Sequence, residues 1–147
     1  MKTLVKTQNH SAWECKYHVV IIPKYRKKIL YGVVRQRAGE VIKELLNRIG
    51  VELLEGHACV EHIHMLLSIP PKYSVSYVIG YLKGKSAIKL HLEFGKKKNQ
   101  LTQKSFWSKG YYVSTVGVND EVVKKYIQNQ WKQDKYIDGD QQEIKWE

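Results

Sequence analysis

Two histidines stand two residues apart in the stretch Glu61-His62-Ile63-His64-Met65-Leu66-Leu67-Ser68-Ile69. Side chains alternate between the two faces of a strand, so Ile63, Met65, Leu67 and Ile69 share one face while His62 and His64 stand side by side on the other. A strand offers two imidazoles to one metal ion in this way. Further along, Tyr126 and Gln130 are four apart, a spacing that puts both on one face of a helix. A tyrosine is a credible nucleophile only where something activates its phenol, whose ordinary pKa is about 10. A divalent cation at the attacked phosphate would help by neutralising charge there. Each feature also has a plainer reading, as core histidines on a strand and as a packed tyrosine followed by a surface amide.

Charge says what such a site would meet. Lys and Arg number 25 against 14 Asp and Glu, a net of +11. Residues 134–147 hold five acids and two bases, a net of −3, which leaves +14 on residues 1–133. A small body this basic, with ten tyrosines and four tryptophans, suits a phosphate backbone with bases stacked on aromatic rings. Lys24, Arg26, Lys27 and Lys28, interleaved with Tyr25 and Tyr31, together with Lys83 and Lys85, are the candidate phosphate contacts. Lys96, Lys97 and Lys98 read as a solvated basic loop.

The elements that must position these groups follow from periodicity. Residues 15–22 are rich in β-branched and aromatic side chains and stop at Pro23, as a strand does. From Val34, apolar residues recur at Ala38, Val41, Ile42, Leu45 and Ile49, which predicts a helix ended by Gly50. Residues 51–60 and 62–69 read as a hairpin. Ser74 caps a second helix running to about Phe94, with Gly80 and Gly84 implying a close approach to its backbone. Residues 106–116 read as a fourth strand with a bulge or turn at Gly110, and a last helix spans about 120–133. The expected fold is therefore α+β: a ferredoxin-like split βαβ with a four-stranded antiparallel sheet and two helices, plus a C-terminal helix carrying Tyr126. One face of such a sheet is left free for a site.

The 147 residues suit a single domain, with a core of about 13–133 and a polar acidic tail over 134–147. No run approaches the roughly 18 apolar residues of a membrane span, and the N-terminus lacks the apolar region of a signal peptide, so a cytoplasmic location without membrane association is the expectation. Cys15 and Cys59 lack paired ligand spacing and read as small buried hydrophobes. His57 falls on the strand beside His62 and His64 and reads as a core-edge residue.

His62-Ile63-His64 is an HUH motif, two histidines around a hydrophobic residue, and Tyr126-Ile127-Gln128-Asn129-Gln130 lies a ferredoxin-like unit downstream. From about Trp13 to Gln130, including Tyr81-Leu82-Lys83-Gly84-Lys85-Ser86, the chain resembles the single-tyrosine HUH transposases of the smallest bacterial insertion sequences. The resemblance implies His62, His64 and Gln130 as ligands of Mg²⁺ or Mn²⁺, with no nucleotide cofactor. It implies Tyr126 as the nucleophile that attacks single-stranded DNA, giving a 5′-phosphotyrosine and a free 3′-OH that can later reverse the step. It also implies recognition of imperfect hairpins and a homodimer with composite active sites. Gly117, ahead of the last helix, can act as a swivel for such sharing.

Other functions compete. A related HUH nuclease could process repeated hairpins or replication origins with the same chemistry. A non-catalytic ferredoxin-like nucleic-acid-binding protein would need stacking aromatics on its central strands, and the motif that places them in RNA-recognition domains is absent. A metal-dependent phosphohydrolase would use water and leave no covalent product.

Overall fold

The computed structural model describes residues 6–8, 11–94, 106–115 and 120–137. In chain order the elements are β1 (Lys6–Gln8), β2 (Ser11–Trp13), β3 (Lys16–Ile21), a short 3-10 turn (Lys24–Arg26), α1 (Gly32–Arg48), β4 (Glu52–Cys59), β5 (His62–Ser68), α2 (Val75–Phe94), β6 (Tyr112–Ser114) and α3 (Asp120–Ile137). β3 to β6 form one antiparallel sheet in the order β4-β5-β3-β6, the split βαβ arrangement expected from the sequence. β1 and β2 make a separate small hairpin that the sequence reading did not anticipate.

The alternation in β5 sorts the sheet into two faces. Ile63, Met65 and Leu67 pack with Val19 and Ile21 of β3 against Ala38, Val41, Ile42 and Leu45 of α1 and Val78, Ile79 and Leu82 of α2. Each fully buried aliphatic side chain there stabilises the fold by about 1.5–3 kcal/mol relative to exposure. The helix ends follow their signals. Gly50, with φ +72°, closes α1 as its N–H bonds the carbonyl of Asn47, and Ser74 Oγ accepts the Tyr77 N–H at 3.1 Å to cap α2.

Four expectations are corrected. The fourth strand is only Tyr112–Ser114, because Gly110 turns the chain with φ +80° and residues 106–108 meet the sheet irregularly, through Ser108 N–H to Ile22 O and a bridge between Pro23 and Trp107. Nothing described lies within 4 Å of a Cβ built at Gly80 or Gly84, so among the described residues the implied close approach is not made. Cys59 is exposed, because it pairs with His62 at the tip of the β4–β5 hairpin, beyond the cover of the helices. The last helix continues past residue 133, so Asp134 is a helical residue with no exposed surface.

No helix of the described residues is long and apolar enough to cross a membrane. Gly117 and Lys96 to Lys98 lie outside the described residues.

Candidate active site on the second face of the sheet

The face of the sheet away from α1 and α2 carries the histidines. His64 on β5 pairs in register with Val20 on β3 and with His57 on β4, and its ring centroid lies 5.6 Å from that of His18. His18 and His57 thus border the HUH pair. His57 is exposed rather than core-edge, with Nε2 3.1 Å from Glu55 Oε1.

Burial pushes the His62 and His64 imidazoles below their ordinary value. For His64 the neighbouring His18, His62 and His57 add to that effect, against the opposing charge of Glu55. Both rings are therefore neutral near pH 7, the form that binds a metal or accepts a hydrogen bond. The Nδ1 atoms of His18 and His62 are buried without a hydrogen-bond partner among the described residues.

α3 lies against this face. Ile127 is buried with Val20 and Ile22, and the rings of Tyr126 and Tyr112 pack on that cluster with their centroids 6.1 Å apart. Tyr126 thus packs on a cluster that includes Val20, the residue that His64 pairs with across the strands. Gly110 is beside the phenol, since a Cβ built there would come to 4.0 Å from Tyr126 Oη. Burial, aided by the charge of Asp134, pushes the Tyr126 phenol up to about 12.

Gln130, one helical turn on, is buried. Its Nε2 donates to Ser108 Oγ at 2.6 Å and to the Lys109 carbonyl at 3.1 Å. Both donor hydrogens are committed to the 108–109 segment, so Oε1 is the end of the amide left to bind elsewhere. Two neutral imidazole nitrogens and an amide oxygen are a donor set that a divalent cation accepts, and the unpartnered Nδ1 of His62 fits it. Among the described residues no three His, Cys, Asp or Glu side chains are grouped to hold a metal.

The basic candidates separate. Lys28 and Lys85 are exposed. Arg26 Nε is 3.4 Å from Glu61, next to His62 in sequence. Lys24 and Lys27 are buried and have partners of their own. Lys83 donates to the carbonyls of Ser108 at 2.6 Å and Gly110 at 2.8 Å, which makes it a brace for the turn beside Tyr126. Burial lowers its pKa, against the charge of Asp134.

Sequence reasoning missed three members of this site. Ser108 and Asp134 carried no motif, although Asp134 continues the four-residue spacing of Tyr126 and Gln130. His18 could have been found from the alternation His18, Val20, Ile22, which places it on the histidine face.

Residues 11–130 match the family model "Transposase IS200 like". The chain belongs to the IS200-like transposase family. It is 46% identical over 130 residues to the transposase for insertion sequence element IS200 of Salmonella typhimurium, covering 88% of this chain and 86% of that one. The ISDra2 transposase TnpA of Deinococcus radiodurans is 27% identical over 119 residues, which are 80% of this chain and 85% of that one. Among solved structures, a candidate transposase from Deinococcus radiodurans superposes with a TM-score of 0.77 at 25% identity, covering 85% of this chain and 97% of its own. A REP-associated tyrosine transposase bound to a REP hairpin shares the fold, with a TM-score of 0.53 at 11% identity over 87% of this chain and 76% of its own. The IS200-like transposases are the single-tyrosine family of small insertion sequences.

Proposed function

We propose that this transposase cleaves and rejoins single-stranded DNA at the ends of its insertion sequence through a 5′-phosphotyrosine on Tyr126. The observation that carries the reading is the packing of Tyr126 on the cluster of Val20, Ile22 and Ile127, on the face of the sheet where Val20 is the cross-strand partner of His64. Tyr126 Oη forms a bond to phosphorus, the bond from phosphorus to the 3′ oxygen breaks, and the strand leaves as a free 3′-OH. A later 3′-OH reverses the exchange, so the phosphodiester is conserved and no nucleotide cofactor is needed. His62, His64 and Gln130 would hold Mg²⁺ or Mn²⁺, whose contribution is to neutralise charge on the attacked phosphate. Among these candidates Lys28 and Lys85, with Arg26, are the side chains best exposed to meet the backbone; Lys24 and Lys27 are buried, and Lys83 braces the turn at Gly110. The fold neighbour bound to a REP hairpin supports a hairpin as the DNA partner.

Incubation with single-stranded hairpin DNA and Mg²⁺ should give a protein–DNA adduct that survives denaturation. Cleavage without an adduct would mean a water nucleophile and a hydrolase instead.

The raised phenol sets the pH dependence. Because Tyr126 is protonated at pH 7, single-turnover adduct formation should rise by close to tenfold per unit between about pH 7 and 9, as the phenolate fraction does. His62 and His64, shifted downward, stay neutral across that window and impose no opposing loss. A rate independent of pH over the same window would contradict attack by a buried phenol.

We further propose a homodimer with composite sites. Among the described residues α3 docks on its own chain through the Ile127 cluster and the bonds to Ser108, Lys109 and Tyr25, and an identical second copy offers the same contacts to an exchanged helix. Mixing Tyr126→Phe and His64→Ala proteins under subunit exchange should restore cleavage, with the adduct on the His64→Ala chain. No recovery despite demonstrated heterodimers would confine each helix to its own chain.

A further inference from the structure

Asp134 has no exposed surface and stands one helical turn beyond Gln130 and two beyond Tyr126. Its Oδ1 accepts the Ser108 hydroxyl at 2.5 Å, and its Oδ2 accepts the backbone N–H of Tyr25 at 2.9 Å. Among the described residues Tyr25 is one of two non-glycine residues with positive φ, at +59°, in the 3-10 turn after β3. Lys83 holds the same segment from the other side through the Ser108 and Gly110 carbonyls.

The direction of these hydrogen bonds is forced. A hydroxyl has one proton, and a carboxylate only accepts, so the Ser108 proton goes to Asp134. Ser108 Oγ is then an acceptor and must face the NH₂ end of Gln130. Lys109 O, also an acceptor, takes the second amide hydrogen. A reversed amide would set Oε1 against the lone pairs of both atoms, an arrangement without a donor.

We infer that Asp134 is a positioning residue, which through Ser108 fixes the Gln130 amide with Oε1 turned away from the 108–109 segment, ready to act as the ligand atom. The ligand part rests on the metal reading above; the orientation does not.

The test uses the intact chain. In Asp134→Asn, the retained oxygen stays with the Tyr25 N–H, and the new Nδ2 donates to Ser108 Oγ. The Ser108 proton then turns to Gln130 and favours Oε1 at that end, while the Lys109 carbonyl still favours the NH₂, so the amide loses its single fixed orientation. In metal-free protein labelled with ¹⁵N, the Gln130 side-chain hydrogens should exchange slowly in the native chain and about tenfold faster in Asp134→Asn. Mn²⁺ binding, followed by electron paramagnetic resonance of the free ion, should weaken by about tenfold or more. The double variant Ser108→Ala/Asp134→Asn has no hydroxyl to invert, so its Mn²⁺ affinity should return to that of Ser108→Ala alone, a non-additive result that mere loosening of α3 does not give.

Unchanged amide exchange in a folded Asp134→Asn protein overturns the proposal, as does an additive double variant. A lower melting temperature with native exchange and native Mn²⁺ affinity would reduce Asp134 to a pin for α3 and overturn it equally. If Asp134→Asn does not fold, Ser108→Ala decides alone: faster Gln130 exchange supports the proposal, and native exchange refutes it. Gln130→Ala separates the two layers, because native Mn²⁺ affinity there would remove the ligand reading while leaving the exchange result to judge the orientation.

Discussion

Tyr126→Phe should abolish the covalent protein–DNA product and lower strand cleavage by roughly 10⁴-fold or more, the scale on which removal of a nucleophile acts. The substitution takes away one oxygen and keeps the ring that packs beside Tyr112 on the cluster of Val20, Ile22 and Ile127. The melting temperature should therefore stay close to that of the native chain, and hairpin binding should persist. A buried phenol at about 12 is a poor nucleophile in isolation, so its chemistry depends on the second face of the sheet as a whole. If Tyr126→Phe still forms the adduct, another residue is the nucleophile and the assignment of α3 fails.

His64→Ala should separate chemistry from affinity. It removes one of the two neutral imidazoles, and cleavage should fall by about 10²-fold or more, while hairpin affinity changes by less than about threefold, because phosphate contacts from the basic surface supply the binding. Binding assays at several salt concentrations beside cleavage assays make the comparison. The salt dependence should be steep and the same in both proteins, as counterion release requires. Joint loss of binding and cleavage would make His64 a structural residue of the sheet, which its place between Val20 and His57 would then explain.

What could be read in advance depended on how local the cause was. The alternation of His62 and His64 with Ile63, Met65 and Leu67 is a property of neighbouring residues, so it forecast which face of β5 is buried. Ser74 and Gly50 acted as helix punctuation for the same reason. The short β6 was not legible, because the turn at Gly110 depends on Lys83 reaching two carbonyls across 25 and 27 residues of chain. Charge misled about burial. Lys24 and Lys27 look like surface cations in sequence, yet the turn after β3 folds them inward. Asp134 looked like the start of an acidic tail, yet its partners, Ser108 and Tyr25, lie 26 and 109 residues away. The polar support that Asp134 and Gln130 give the tyrosine helix is thus tertiary, whereas the helix itself and its spacing were written locally.

The central claim is that the bond to DNA is made by Tyr126. Trypsin should release that residue in the peptide 126–132, which follows Lys125, ends at Lys132 and contains one tyrosine. Native protein reacted with single-stranded hairpin DNA, then digested with nuclease and trypsin, should yield this peptide with a 5′-nucleotide phosphate on Tyr126 by mass spectrometry. A nucleotide on any other peptide, or complete cleavage with peptide 126–132 unmodified, would contradict the account.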